Sequence, residues 1–207
     1  MHLPLTDRLV CPRCGPPFGL VLLAEVVADR EVSEGALGCP NCRDAFPIHR
    51  TIADLRPPPR APLGEPLEVG VCDPEKAIRI AAALGIVDGS GIVLLLGAGA
   101  AGCAGPVSEL LPDIQWVAAT AAPVESSAVV SVTRLIYRGS IPLHDSVVRA
   151  AICDPRHGLP LRELRRTLLP GGRVIVTPRG SIDPGQFEEA GFTVIVDEDA
   201  ALVLEKG

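Results

Sequence analysis

The chain has 207 residues, 47% hydrophobic and 21% charged, which fits one packed domain with room for a small module and excludes a disordered tail. Residues 1–60 carry seven arginines and seven acids, so the whole net charge of −6 lies in 61–207. That acidic surface, with only 3% aromatic residues, offers little to a phosphate backbone or to stacked bases. No apolar run approaches the ~20 residues that cross a bilayer, and no basic-then-apolar leader opens the chain. A cytoplasmic protein that neither enters a membrane nor binds nucleic acid on its own is expected.

Taken in chain order, residues 1–56 form a cysteine-bearing module, 57–72 a proline-rich, extended linker and 73–207 a second domain. Asp73-Pro74-Glu75 reads as an N-cap, a proline at the first helical position and a first-turn acid, opening a helix to about Leu84 that Gly85 stops. From Gly91 onward short apolar runs alternate with helical stretches. Strands are expected at 92–96, 114–119, 129–137, 149–153 and 173–177, with helices near 107–111, 161–169 and 184–190. A last pair, 192–196 and 201–205, is split by Asp197-Glu198-Asp199 as in a hairpin. Strands apolar on both faces and separated by helices predict an α/β fold, a doubly wound and mostly parallel sheet.

Cys11-Pro12-Arg13-Cys14 and Cys39-Pro40-Asn41-Cys42 are two hooks with 24 residues between them. Four soft thiolates at this spacing suit a tetrahedral zinc ion, and with every position filled by protein such an ion is structural rather than catalytic. A module this small depends on its metal to fold, and His49 is read as a surface histidine. The strings LVCPRCG and ALGCPNCRDAFPIHRTIADLRP resemble the small zinc-ribbon activator proteins that partner methyltransferases acting on tRNA, rRNA and release factors. Phe46-Pro47-Ile48 and Ile52 match that family's tail, whereas Thr51-Ile52-Ala53 stands where it usually has Gly-Ile-Pro. The resemblance implies a ribbon that supports a partner domain and does no chemistry itself.

Gly97, Gly99 and Gly102 fall in a turn just after a buried strand, where a cofactor needs bare backbone to approach. The spacing formally fits a dinucleotide fingerprint, but 116–120 lacks the acid that would hold a ribose, which argues against NAD. The order LLLGAGAAG, YRGSIPLHDSVVRAAICDP, LRELRRTLLPGGRVIVTP and FEEAGFTVIVDEDAALVLEK resembles the class I methyltransferases that use S-adenosylmethionine. That resemblance implies a seven-stranded, methyltransferase-like Rossmann sheet with its last strand antiparallel. It also implies a cofactor pocket shaped by Gly97, Ala98, Gly99 and Gly102, with Ala119 and Thr120 facing the ribose, Ser140 and Ile141 the adenine, and Asp154 the methyl acceptor. Three carboxylates of the family are missing, at Leu95, at 118–120 and at Gly139-Ser140. Losing the ribose grip alone weakens binding by roughly one to two powers of ten.

Asp154 reads more readily as the cap of an Asp-Pro turn, His157 as a solvent-facing loop histidine, and Cys103 and Cys153 as small buried hydrophobes. Arg162, Arg165 and Arg166 share one helix face, which suits phosphate, an acidic partner or simply nearby acids. Two functions from different classes stay open. One is an S-adenosylmethionine-dependent methyltransferase, its acceptor a small molecule or a macromolecule, carrying its own zinc ribbon. The other is a catalytically degenerate methyltransferase-fold protein that binds a protein partner or serves as a scaffold. Nucleic-acid binding through Arg13, Arg43, Arg50, Arg56 and Arg60 is a third.

Overall fold

The computed structural model describes residues 1–87, 89–124 and 132–207; the start of the strand expected at 129–137 lies outside the described residues. The amino-terminal part is a 3-10 turn (Leu3–Arg8) followed by four antiparallel strands, β1 (Val21–Ala28), β2 (Glu31–Gly38), β3 (Ala45–His49) and β4 (Ile52–Asp54). Helix α1 (Pro74–Leu84) starts and stops as its sequence predicts. The Asp73 carboxylate accepts from the Lys76 amide at 2.8 Å, and Gly85 ends the helix in a left-handed conformation. The body then runs β5 (Gly91–Leu96), α2 (Ala98–Ala101), α3 (Ala104–Leu110), β6 (Ile114–Thr120), β7 (Val132–Ile136) and β8 (Val148–Cys153). A 3-10 turn (Pro155–His157), α4 (Leu161–Thr167), β9 (Leu168–Val176), α5 (Gly185–Glu189), β10 (Phe192–Glu198) and β11 (Ala201–Lys206) complete it.

In the body the strand order is β7-β6-β5-β8-β9-β11-β10, parallel up to β9, with β11 antiparallel to both β9 and β10. This is a methyltransferase-like α/β fold. Among the described residues the sheet nevertheless has eleven strands rather than the seven expected, because β4 pairs in parallel with β7, Ala53 opposite Leu135. The Leu55 amide continues the ladder to the Ile136 carbonyl at 2.7 Å. The edge of β7 carries unpaired backbone groups that only another strand or water can satisfy, and the amino-terminal module supplies that strand.

The two faces of the sheet feed separate cores. Val93, Leu95, Trp116, Ala118, Ile152 and Ile175 pack under α1, α2 and α3. On the opposite face Leu94, Leu96, Val117, Leu135, Tyr137 and Cys153 share one continuous core with Leu5, Leu9, Phe46, Ile48 and Leu55 of the amino-terminal module. The link between β7 and β8 carries no helix, although a parallel crossover usually does. Residues 3–10 lie against that link instead, the Val10 amide donating to the Pro142 carbonyl at 3.1 Å and the His144 amide to the Arg8 carbonyl at 3.0 Å. The module is thus a covering layer of the body. No helix among the described residues is long and apolar enough to cross a membrane.

Candidate functional site

The two cysteine hooks fold alike. In each, the residue after the second cysteine takes a left-handed backbone and its amide closes the turn, Gly15 onto the Cys11 carbonyl at 2.8 Å and Arg43 onto the Cys39 carbonyl at 3.0 Å. The sulfurs of Cys11, Cys14, Cys39 and Cys42 consequently lie within 4.8 Å of one another. Cys11 and Cys42 are 3.6 Å apart, and Cys14 and Cys39 3.9 Å. Metal–sulfur bonds of ~2.3 Å in a zinc tetrahedron space the sulfurs about 3.8 Å apart, so the cluster fits a tetrahedral metal. The Cys14 amide points at the Cys11 sulfur at 3.5 Å and the Asn41 side-chain amide at the Cys14 sulfur at 3.3 Å, donors that favour the thiolate. His49 is exposed and bonded to Glu34 at 2.9 Å, outside the cluster.

At the carboxyl ends of β5 and β8 the Asp154 side chain is buried and bonded on both oxygens. It accepts from the Gly99 amide at 3.0 Å, the Arg156 amide at 3.0 Å, and Arg156 Nε and Nη2 at 2.9 and 2.8 Å. Burial pushes its pKa up, but the bonds from Arg156 and Gly99 outweigh burial and hold it below the usual carboxylate range. Asp154 therefore caps the Pro155–His157 turn and in the same stroke ties that turn to the glycine loop.

The chain's own groups lie against that loop. A side-chain carbon added at Gly97 would lie 2.7 Å from His157 Cβ, one at Gly99 would collide with the Asp154 carboxylate, and one at Gly102 with the backbone of Gly70. The glycines are bare because 154–157 and the linker residue Gly70 lie against them. The other residues expected around a nucleoside are also engaged. Thr120 Oγ1 donates to the Ala122 carbonyl at 2.7 Å, the Ala119 carbonyl accepts from the Gly97 amide at 3.1 Å, and Ser140 Oγ and the Ile141 amide both donate to Glu163, at 2.6 and 3.1 Å. Ala98 begins α2 within the covered loop, and Leu95 is core. The bare backbone that S-adenosylmethionine would need is thus in contact with the chain's own Asp154, His157 and Gly70.

His157 is half-buried rather than solvent-facing. Its Nε2 lies 3.1 Å from the Tyr137 hydroxyl, and burial lowers its pKa. Beside the pair is a cavity of 370 Å³ lined by Ala121, Tyr137, Arg138, Gly139, His157 and Leu159, among others. Cys103 and Cys153 are buried, their thiols pushed up by burial, Cys103 to about 12.

Residues 2–50 match the family model described as Trm112p-like protein. The amino-terminal module is a Trm112p-like domain. No curated protein matches the chain. Among solved structures the chain is similar to a tRNA (m1A58) methyltransferase from Aquifex aeolicus, at 14% identity over 66% of this chain and 70% of that one, with a TM-score of 0.47. It is also similar to a precorrin-6y C5,15-methyltransferase from Geobacter metallireducens, at 15% identity over 64% of this chain and 88% of that one, with a TM-score of 0.45.

One device escaped the sequence reading. Asp54 at the end of β4 in the Trm112p-like domain grips Arg56 as Asp154 grips Arg156: Nε at 2.9 Å and Nη2 at 2.8 Å in both. The signal was present as Asp-x-Arg at two strand ends, Asp54-Leu55-Arg56 and Asp154-Pro155-Arg156. The contact of Gly70 with Gly102 yields an expected outcome of its own. Gly102→Ala pushes the linker off the loop, so proteolytic cleavage within 57–72 accelerates several-fold while the melting temperature changes little; an unchanged cleavage rate would show that Gly70 does not rest there in solution.

Proposed function

We propose that this chain is a methyltransferase-fold protein that has given up S-adenosylmethionine chemistry and acts as a binding or scaffold module. On this reading the four cysteines of its Trm112p-like domain hold a structural zinc ion that props up the α/β body. One observation carries the proposal: the loop where a cofactor would meet bare backbone is occupied by Asp154, Arg156, His157 and Gly70. The missing acids at Leu95, Thr120 and Ser140 point the same way, since each position is buried or bonded within the chain. Asp154 is a positioning residue in this scheme, because four donors saturate it. The protein acts in the cytoplasm and works through a protein partner rather than through turnover.

The rival reading, methyl transfer from S-adenosylmethionine, draws on the 370 Å³ cavity beside Tyr137 and His157 at the carboxyl ends of the strands, where open α/β sheets bind ligands. Calorimetric titration decides between them. The scaffold reading expects no heat with S-adenosylmethionine or its demethylated product at millimolar concentration. Saturable binding, or methylation of any acceptor, would return the chain to the enzymes.

A further inference from the structure

We infer that the concavity between α4 and the end of β11 is a binding site for a small molecule carrying phosphate groups. It lies at the opposite end of the sheet from the glycine loop: Glu205, next to Lys206, pairs with Arg173 near the start of the β8–β9 ladder, whereas the glycine loop follows the far end of β5. The site is independent of the reading proposed above.

The concavity measures 680 Å³ and is lined by Arg162, Arg165, Arg166 and Lys206, with Asp145, Ser146 and Ala190. Four cations face one carboxylate there, in a body whose net charge is negative. That carboxylate is already committed, since Asp145 accepts from Arg166 Nη1 at 2.7 Å. Arg166 is fixed further by Glu163 at 2.8 Å and by the Ile141 and Leu143 carbonyls at 2.8 and 2.7 Å. Among the described residues no carboxylate pairs with Arg162 or Arg165. Lys206 donates to the Leu168 carbonyl at 2.6 Å, and burial, then the nearby Arg165 charge, lower its pKa.

Arg165 is also held in place. A side-chain carbon at Gly191 would sit 2.7 Å from Arg165 Nε and 3.2 Å from Nη2, so the guanidinium lies against bare backbone. A guanidinium pre-positioned in this way keeps its fork of donors for a planar or tetrahedral oxyanion at little entropic cost. Two unpaired guanidiniums, an ammonium and the Ser146 hydroxyl together match phosphate oxygens. The lining contains no aromatic ring for a base to stack on, which favours a small phosphorylated molecule over a nucleic acid strand.

The test is calorimetric titration of the full chain with inorganic phosphate and with fructose 1,6-bisphosphate at low salt. The bisphosphate binds more tightly than phosphate, and Arg165→Gln, Lys206→Gln and Gly191→Ala each weaken it by about tenfold or more. Arg79→Gln, at an exposed arginine paired with Glu75 on α1, leaves it unchanged. Arg162→Gln, at an exposed arginine of the same lining, weakens it as well without disturbing the fold. Absence of heat at about 10 mM ligand, equal affinity in all variants, or tighter binding of citrate or of single-stranded RNA would overturn the assignment.

Discussion

If the four-cysteine cluster holds the proposed zinc ion, a strong chelator unfolds the whole chain in one transition, not the Trm112p-like domain alone. Leu5, Leu9, Phe46, Ile48 and Leu55 share a core with Leu94, Leu135 and Tyr137 of the body, and at ~2 kcal/mol for each buried side chain their contribution is about 10 kcal/mol. That equals the entire net stability of an ordinary domain. The hooks that place these residues have little to hold them without a metal, because what joins them among the described residues is thiol contacts and one half-exposed ion pair, Arg13 to Asp44 at 2.8 Å. Circular dichroism and tryptophan fluorescence should therefore lose their signals together. Trp116 is the informative probe, since it lies in the core on the other face of the sheet, away from the cysteines. Cys39→Ser acts in the same direction, lowering the melting temperature by roughly 10–20 °C. Two separate transitions, or an intact Trp116 signal after chelation, would show that the domain is a detachable appendage.

Asp154→Ala removes the acceptor of four hydrogen bonds and leaves the Gly99 amide without its partner. Because Arg156 is largely solvent-exposed its charge is rehydrated at once, which keeps the cost near 2 kcal/mol, or about 4–8 °C in melting temperature. The pH dependence follows from the direction of the shift. Burial raises the Asp154 pKa, the bonds from Arg156 and Gly99 lower it further than burial raises it, and the folded value ends below the unfolded one of ~3.9. Its contribution is thus present in full above the unfolded value and is lost as pH falls through the folded one. Asp54, held by Arg56, behaves likewise. Wild-type stability should fall steeply below about pH 4, and Asp154→Ala should flatten that slope. An unchanged slope would mean that the carboxylate is not held in its charged form.

What the sequence disclosed was local. The turns of the two cysteine hooks and the Asp73 cap and Gly85 stop of α1 rest on contacts three or four residues long, which recur in the structure at 2.8–3.2 Å, and the 192–205 hairpin rests on one tight turn between Glu198 and Ala201. The eleven-stranded sheet was hidden because Ile52, Ala53 and Asp54 meet their partners 134–136 some eighty residues away, and nothing in their pattern names those partners. The closure of the glycine loop was hidden for the same reason, as Asp154 reaches Gly99 across 55 residues. Gly97, Gly99 and Gly102 suit a cofactor approaching from outside and equally suit the chain's own backbone and side chains approaching from within. Only the position of 154–157 and of Gly70 distinguishes the two.

Native mass spectrometry of the full chain with one millimolar S-adenosylmethionine added tests the central claim most directly. The account predicts a single species with the mass of the polypeptide plus one zinc ion. A species heavier by one adenosyl ligand, persisting when the ligand is diluted, would contradict it.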